Sequence, residues 1–412
     1  MSRPTAKTAA LALCLALGGG LAGYLASASA ARAGAARARQ SLPVASLAAA
    51  GRDGARATLP VLAEVPVRNV VLLVGDGLGL AQFAAARIAA YGPEGRLELE
   101  RFPTVGLVTT HAAGALITKS DAAATALATG HKTRLGRVGS DALGRPIRTL
   151  LETLRDAGWA TGLATTSRIT DATPAAFAAH VAERRDEAGI AADLSDARVD
   201  LLAGGGRKFF LPKSAPEGAR ADGRDLTAEM HARGVEVVAD AAGLAAAKRL
   251  PVAALFGVEP QKSDPRSPTL GAIAEKSLGL LAASGRPFFL LLEEEEIDSA
   301  AHARDAARMV AAVLRFDAAV SAAVDFAIRD GATLVLVLGD HATGGLSIDE
   351  QSSGTELVLH WASAQHSGEP VPVFAYGPPS AAGRFAGLFD NTEIPHRVAA
   401  ALGVEFPLPA AE

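Results

Sequence analysis

Three side chains that could hold a cation together lie within residues 292–302 (LEEEEIDSAAH): Glu293, Asp298 and His302. Residues 287–292 (PFFLLL) are an apolar run typical of a buried strand, so Glu293 is expected at a strand end. Asp298 and His302 are four residues apart, and a helix would set them on one face with about 5–6 Å between their Cβ atoms. One ion could use both. The alternative is a solvated acidic loop followed by a helix start, where acids are favourable.

Two further strand ends carry polar side chains. Residues 69–74 (NVVLLV) and 333–338 (TLVLVL) are continuous apolar runs, as in strands covered on both faces, and Asp76 and the pair Asp340 and His341 follow them. An adjacent carboxylate and imidazole offer oxygen and nitrogen ligands to an ion such as zinc. Asp76 between glycines could equally be a plain turn residue. His366 lies in a predicted loop before a strand over residues 371–376.

Ser120 and Arg184 are candidates for direct contact with a substrate. Ser120 precedes an alanine-rich helix predicted over residues 121–128, where free amides would stabilise an alkoxide or a bound phosphate, although Ser120 could also be only an N-cap. A second helix is predicted to start at Thr173 and Pro174 and to carry Arg184. The guanidinium of Arg184 could form paired bonds to a phosphate, but a surface arginine is the commoner case.

The composition is that of a globular chain, with 412 residues, 49% hydrophobic residues, 20% charged residues and a net charge of −4. No basic cluster is present, which argues against nucleic acid as the main partner. Residues 1–30 combine Arg3 and Lys7 with an apolar run and the sequence Ala-Ser-Ala at residues 28–30, which predicts a cleaved signal peptide and no stable membrane span. The protein is therefore expected to be exported, to the periplasm or beyond the cell.

The rest of the chain predicts one large α/β domain over residues 68–412, with a mostly parallel sheet and helices on both faces. Residues 31–67 are interpreted as a linker or flexible arm, because they show no clear periodicity. Residues 207–268 are richer in Pro, Lys, Asp and Gly, and we expect them to form an insertion outside the main sheet. A long helix is expected to follow the LEEEEIDSAAH stretch and to extend to about residue 329.

Read together, these stretches resemble the alkaline phosphatase family, in the order of the family from about residue 69 to residue 403. The resemblance depends on six motifs: VGDGLG around Asp76, SDAAATALATG from Ser120, DATPAAFAAHVAERR from Asp171, EEEEIDSAAH from Glu293, GDH at Asp340 and His341, and QHSG at His366. It implies an exported phosphomonoesterase that acts on small phosphate monoesters through a phosphoserine at Ser120. The family is commonly dimeric, so a homodimer is possible.

The resemblance also implies a set of metal ligands. Asp298, His302 and His366 would hold a first Zn2+, and Asp76, Asp340, His341 and the oxygen of Ser120 a second. Mg2+ would be held by Asp76, Thr173 and Glu293, with Asp171 behind its waters, while Arg184 would bind the phosphate. Two ions about 4 Å apart can stabilise the attacking and leaving oxygens of a displacement at phosphorus.

Two positions depart from the family pattern. Lys119 stands where the family usually has an aspartate that helps hold the arginine, so Arg184 is expected to be either held by Asp121 or left mobile. Ser299 stands where a His or Lys is common, which removes a cation near the site. The alternatives are a phosphodiesterase of the same superfamily or a non-catalytic, metal-stabilised binding protein. A sulfatase is disfavoured because the chain has no C/S-x-P-x-R sequence.

Overall fold

The computed structural model describes residues 38–45, 58–257 and 268–407. The predicted signal peptide, residues 1–30, lies outside these ranges. The strands are β1 (Arg39–Pro43), β2 (Asn69–Gly75), β3 (Thr104–Thr109), β4 (Ala160–Arg168), β5 (Leu201–Gly205), β6 (Glu236–Val238), β7 (Val252–Leu255), β8 (Phe288–Glu294), β9 (Thr333–Gly339), β10 (Ala342–Thr343), β11 (Leu346–Ile348), β12 (Glu356–Trp361), β13 (His366–Ser367), β14 (Val371–Tyr376) and β15 (Gly387–Asp390).

The helices surround these strands. They are α1 (Leu80–Tyr91), α2 (Ser120–Thr129), α3 (Leu150–Asp156), α4 (Ala172–Ala175), α5 (Glu187–Asp196), α6 (Leu226–Ala232), α7 (Ala241–Ala246), α8 (Leu270–Ala283), α9 (Glu296–His302), α10 (Ala306–Asp330), α11 (Pro379–Ala382) and α12 (Glu393–Leu402), together with short 3-10 turns. None of the helices in the described ranges is long and apolar enough to cross a membrane.

Ten strands form the main sheet, in the order β15-β3-β14-β9-β2-β8-β4-β5-β7-β6. Among them β14 runs antiparallel to both of its neighbours, and the other neighbouring pairs are parallel. Val71 and Leu73 of β2 pack into the hydrophobic core on one face, while Val70 and Leu72 pack into the core on the other. This two-sided burial explains the continuous apolar runs. The predicted α/β fold, mostly parallel with helices on both faces, is confirmed.

The expectation that residues 207–268 form an insertion outside the main sheet is wrong for two of its segments. Val252–Leu255 pairs in parallel with β5, and Glu236–Val238 pairs with Val252–Leu255 to form the edge of the sheet. These strands are only four and three residues long. Short strands carry too little periodicity to be distinguished from loops, and here they are stabilised by pairing with strands that are already in place.

Part of the predicted arm is also ordered. Within residues 31–67, β1 pairs antiparallel with β12, which together with β11 makes a separate three-stranded sheet. Gln40 of β1 forms hydrogen bonds through its side chain to the carbonyl of Arg304 and, at 2.8 Å, to the amide of Ala306. These bonds fix the corner between α9 and α10. The long helix expected after residue 302 is present as α10, and a separate short helix, α9, carries Asp298 and His302.

Candidate active site

The site lies at the carboxyl ends of three neighbouring parallel strands at the centre of the sheet. Strands β8, β2 and β9 are paired in register, so that Val74 lies opposite both Glu293 and Leu338. Glu293 is therefore at the end of β8, and Asp76 and Asp340 directly follow β2 and β9. This is the sheet edge at which α/β proteins place their ligands. The placement predicted for these three carboxylates from their strands is what the structure has.

Asp298, His302 and His366 form the first cluster of potential ligands. The Nε2 atom of His302 lies 3.1 Å from both Oδ2 of Asp298 and Nε2 of His366. The other ring nitrogens are fixed by backbone carbonyls, with Nδ1 of His302 2.7 Å from the oxygen of Ala364 and Nδ1 of His366 2.9 Å from the oxygen of Thr118. The Nε2 atoms are thus oriented toward one point, as in metal-binding histidines whose other ring nitrogen is hydrogen-bonded to a carbonyl.

Asp76, Asp340 and His341 form the second cluster. The Nε2 atom of His341 lies 3.4 Å from Oδ1 of Asp76 and 3.3 Å from Oδ2 of Asp340. Among the described residues, these two carboxylate oxygens are buried without a hydrogen-bond partner. Buried acceptors left unpaired are costly, and a cation between them would remove that cost. The two clusters are adjacent, because the rings of His341 and His366 stack with their centroids 3.7 Å apart.

Ser120 is the first residue of α2 and is buried beside the second cluster. Its Oγ lies 3.4 Å from Nε2 of His341. The residue before it, Lys119, is extended and makes no side-chain cap, so Ser120 is not the N-cap of the helix. Its hydroxyl instead lies among the potential ligands, at a helix end whose amides favour a negative charge.

Arg184 also reaches this site, but not from a helix. α4 ends at Ala175, so the prediction that the helix starting at Thr173 and Pro174 carries Arg184 is wrong. The guanidinium is held by two carboxylates, with Nη1 3.2 Å from Oδ2 of Asp121 and Nη2 2.7 Å from Oδ1 of Asp171. Of the two expectations for Arg184, held by Asp121 or left mobile, the first is the one observed.

The third predicted set, Asp76, Thr173, Glu293 and Asp171, includes a threonine hydroxyl. Oε2 of Glu293 accepts a hydrogen bond of 2.5 Å from Thr165, and the hydroxyl of Thr173 is buried without a partner among the described residues. Within those residues, no third group of three His, Cys, Asp or Glu side chains is as close as the first two. Asp171 accepts a hydrogen bond from the amide of Ala172 and so caps α4.

Burial and mutual repulsion raise the pKa values of three acids of the site. Burial raises the pKa of Glu293 to about 8, with a smaller contribution from the charge of Asp171, and raises that of Asp340 to about 7. Burial and the charge of Asp340 also raise the pKa of Asp76 well above its ordinary value. These acids crowd one buried volume, and a divalent cation there would reverse the shifts by offsetting the repulsion.

Neighbouring imidazoles lower the pKa of Asp298. Burial alone would raise its pKa, but the hydrogen bond with His302 and the charges of the nearby histidines hold it below the ordinary range. Burial and the charge of His366 lower the pKa of His341 well below its usual value. A neutral imidazole and an ionised carboxylate are the forms that bind metal ions.

The sequence interpretation missed two hydroxyls that orient these groups. Thr343 donates a hydrogen bond of 2.5 Å to Oδ1 of Asp298 and lies 3.3 Å from Nδ1 of His341. Thr165 of β4 holds Glu293 in the same way. Thr343 stands two residues after His341, and this proximity to a candidate ligand was the available signal. Thr165 had no such signal, because only the pairing of β4 with β8 brings it to Glu293.

Ser299 supplies no positive charge to this site. Its hydroxyl donates to the carboxylate of Glu295, on the preceding turn. The serine therefore leaves the His302 side of the site without the positive charge expected for a His or Lys at this position.

Comparisons with known proteins agree with the geometry. The family model for alkaline phosphatase matches residues 67–359 and 355–404. A streptomycin-6-phosphate phosphatase from Streptomyces griseus is 37% identical over 82% of this chain and 91% of its own length. The alkaline phosphatase of Escherichia coli K12 is 30% identical over 84% of this chain and 88% of its own.

A solved structure gives the same result. The alkaline phosphatase from the Antarctic bacterium TAB5 superposes with a TM-score of 0.74 at 30% identity, covering 82% of this chain and 99% of that one. A variant of the TAB5 enzyme, 29% identical to this chain over the same shares with a TM-score of 0.72, was solved with Mg bound in its M3 site. The chain therefore belongs to the alkaline phosphatase family and is a phosphoric monoester hydrolase.

Proposed function

We propose that this enzyme hydrolyses phosphate monoesters in two steps through a phosphoserine at Ser120, at a site that holds two Zn2+ ions and one Mg2+ ion. The observation that carries the proposal is the position of the Ser120 hydroxyl. It is buried at the start of α2, 3.4 Å from His341, and lies beside two clusters of potential metal ligands. A hydroxyl in such surroundings is a nucleophile activated by metal coordination and helix amides.

The residues present fit the proposed metals. The unpartnered oxygens of Asp76 and Asp340 mark a place where positive charge is required. Mixed imidazole and carboxylate ligands suit Zn2+, while an all-oxygen set suits Mg2+. Asp298, His302 and His366 would hold one Zn2+; Asp76, Asp340, His341 and Ser120 the other; and Asp76, Thr173 and Glu293 the Mg2+, with Asp171 behind its waters. The Mg of the TAB5 variant supports a third metal position in this family.

Bound there, divalent ions would favour the ionised form of the serine and offset charge on the attacking and leaving oxygens. In the first step, Oγ of Ser120 attacks phosphorus, a bond between them forms, and the bond from phosphorus to the ester oxygen breaks to release the alcohol. In the second step, water attacks the phosphoserine and the serine oxygen leaves, which frees inorganic phosphate and restores Ser120. Arg184 donates hydrogen bonds to the non-bridging oxygens in both steps, and its two carboxylate partners keep its plane fixed.

We also propose that the enzyme acts after export and that it can pair as a homodimer. Export is supported by the basic start, apolar run and Ala-Ser-Ala sequence of residues 1–30. Removal of that segment would remove Cys14 and leave a mature chain with no cysteine, so nothing in it depends on an oxidised or a reduced compartment. The sedimentation of the purified mature chain would decide its oligomeric state.

The decisive test is Ser120→Ala. We expect this variant to lose the phosphoenzyme that can be trapped at acid pH and to lose turnover by orders of magnitude, because the attacking oxygen is gone. Thr118→Ala serves as the control, since its hydroxyl is buried in the same loop but bonds only weakly to the carbonyl of Lys119. Trapped phosphate that persists in Ser120→Ala would assign the nucleophile to another residue.

A substrate pair tests the reaction class. The purified enzyme, stripped of metal and then given zinc and magnesium, is expected to hydrolyse a phosphomonoester and to leave the matching diester almost intact. Faster cleavage of the diester would favour the phosphodiesterase alternative, and no recovery on adding metal back would contradict the proposed cofactors.

A further inference from the structure

We infer that Lys119 belongs to a subsite for the alcohol portion of the ester and selects monoesters whose alcohol carries a negative charge. The inference rests on the proposed function and adds a substrate class to it. The ammonium of a lysine beside the nucleophile would attract such an alcohol as a point charge.

The exposure of the side chains around the site indicates which side is open to solvent. The side chain of His302 is 36% exposed, whereas those of His341 and Asp340 are 0% exposed and that of Asp76 is 6% exposed. With the phosphoryl group between Ser120 and Arg184, an alcohol larger than a few atoms must extend toward solvent. The side chain of Arg184 is also partly exposed, at 32%, but it faces the phosphoryl group, so the alcohol lies on the side of His302.

The chain places Lys119 on that side. The carbonyl oxygen of Thr118, the residue before it, lies 2.9 Å from Nδ1 of His366, and Ser120 follows it. Lys119 is exposed and its backbone is extended, with φ −131° and ψ 166°. The backbone of the lysine is therefore fixed between the nucleophile and His366, one of the candidate ligands.

The ammonium of Lys119 is available to bind a ligand. Lys119 forms neither a side-chain hydrogen bond nor an ion pair within the described residues, while Arg184 is committed to Asp121 and Asp171. The loop before it, residues 112–118 (AAGALIT), contains no charged residue, and Asp121 after it is 1% exposed and bonded to Arg184. An unpaired ammonium on a flexible stem acts as a point charge that can follow a ligand. A carboxylate or second phosphate on the alcohol would be its partner.

Two esters that differ at one carbon test the inference. The alcohol of glycerol 3-phosphate ends in a neutral hydroxymethyl group, and that of 3-phosphoglycerate ends in a carboxylate at the same place. The ratio of kcat/KM for the second ester over the first cancels effects on the phosphoryl group. In Lys119→Ala with zinc and magnesium bound, we expect this ratio to fall about two- to fivefold at low salt, the range of an exposed ion pair.

Two controls accompany this variant. Lys119→Arg is expected to keep most of the ratio, since it retains the charge, and Lys213→Ala is expected to leave the ratio unchanged, since Lys213 is an exposed lysine well separated in sequence from the site residues. The difference between wild type and Lys119→Ala should also shrink as salt rises to about 0.5 M, because exposed charges are screened over a few ångströms there.

Three outcomes would overturn the inference alone. Equal losses of kcat/KM for both esters in Lys119→Ala would mean that the lysine acts on the phosphoryl group. Unchanged kcat/KM values for both esters at low salt would mean that it faces away from the alcohol, and a change of the ratio in Lys213→Ala equal to that in Lys119→Ala would mean that net charge is responsible. If the wild-type enzyme cleaved neither ester nor any other monoester, the proposed function would fail and the inference with it.

Discussion

Arg184 owes its orientation to Asp121, a residue one position after the nucleophile, rather than to the residue before it. Oδ2 of Asp121 accepts from Arg184, and Oδ1 accepts from the amides of Ala122 and Gly136 at 2.8 and 2.9 Å. The buried carboxylate is therefore itself fixed by backbone. Arg184 is therefore held without Lys119, through Asp121 and Asp171.

Asp121→Asn should weaken the binding of phosphate by Arg184. The amide keeps one oxygen for the backbone donors but removes the charge that faces the guanidinium, worth about 1.5–3 kcal/mol for a hydrogen bond to a charged group. We expect the inhibition constant of inorganic phosphate to rise at least about tenfold, as measured by competition in steady-state assays. In an Arg184→Ala background the same change should have almost no effect. An equal rise in both backgrounds would show that Asp121 acts independently of Arg184.

Asp298→Ala, His302→Ala and His366→Ala should each lose zinc as well as activity, because each removes one of three converging ligand atoms. Metal analysis of the purified variants measures the loss directly. His360→Ala is the matched control, since His360 pairs with Asp349 on the separate three-stranded sheet. Full zinc content in all three variants would refute the first metal position.

The candidate residues at strand ends could be found from sequence because their signal is local. Asp76, Glu293 and Asp340 each end an apolar run that a sheet buried on both faces requires. The partners of Arg184 are harder to predict from the sequence. The sequence predicts Asp171 behind the waters of Mg2+ but not its direct bond to Arg184, because a contact across thirteen residues depends on how the intervening chain turns.

At the scale of elements, the turn after β2 and the end of β9 are packed against each other without space for a methyl group. A Cβ atom at Gly339 would lie 2.3 Å from the carbonyl oxygen of Leu78, which is backbone and cannot rotate away. Gly77 donates its amide to Oδ1 of Asp340 at 3.0 Å across the same contact. The distance between Asp76 and Asp340 therefore depends on this glycine.

Gly339→Ala should lower both stability and metal affinity. Overpacking of this kind costs about 1–3 kcal/mol, and the relief of the clash would move the two carboxylates apart. Urea unfolding and zinc titration measure the two effects. Gly279→Ala, in the exposed interior of α8 with no atom within 4 Å of the new Cβ, should be neutral or slightly stabilising. A Gly339→Ala variant with wild-type zinc affinity would contradict the proposed coupling.

The segment after α4 explains why one predicted helix does not exist. The sequence from Ala175 to Ala179 is rich in alanine and favours a helix locally. Instead, His180 turns back to contact the carbonyl of Gly139 and the carboxylate of Glu152, and Val181 pairs with Val138. These contacts come from distant parts of the chain and outweigh local propensity, which a sequence pattern cannot reveal.

The same His180 links the stability of the whole molecule to pH. Burial lowers the pKa of His180, but the bonds to Glu152 and Gly139 outweigh it and leave the pKa raised. Burial raises the pKa of Glu152, yet the hydrogen bond with His180 and the amide of Thr149 leave it lowered. The histidine contributes fully below its unfolded pKa of about 6.5, and its contribution is lost as pH rises through the folded value. The contribution of Glu152 is lost as pH falls below about 4.3.

His180→Gln should therefore cost most stability at about pH 5 to 6 and progressively less above about pH 7. Urea unfolding of the metal-free protein at several pH values measures the difference, with chelator present so that metal binding does not vary with pH. His231→Gln, at an exposed position in α6, controls for loss of an ordinary histidine. A cost that does not depend on pH would mean that His180 acts through packing alone.

The position of β2 in the middle of the main sheet sets the order in which this enzyme can acquire its activity during synthesis. Asn69 bonds to Thr333 across 264 residues, and the amide of Phe288 bonds to Asn69 across 219. During synthesis, β2 therefore lacks both of its neighbours until β8 and β9 have been made. The first metal cluster is incomplete until the chain has reached His366. Contacts of such long range make folding slow. An unfinished chain that ends before His366 is therefore expected to be inactive, because the first cluster is not complete until that residue has been made.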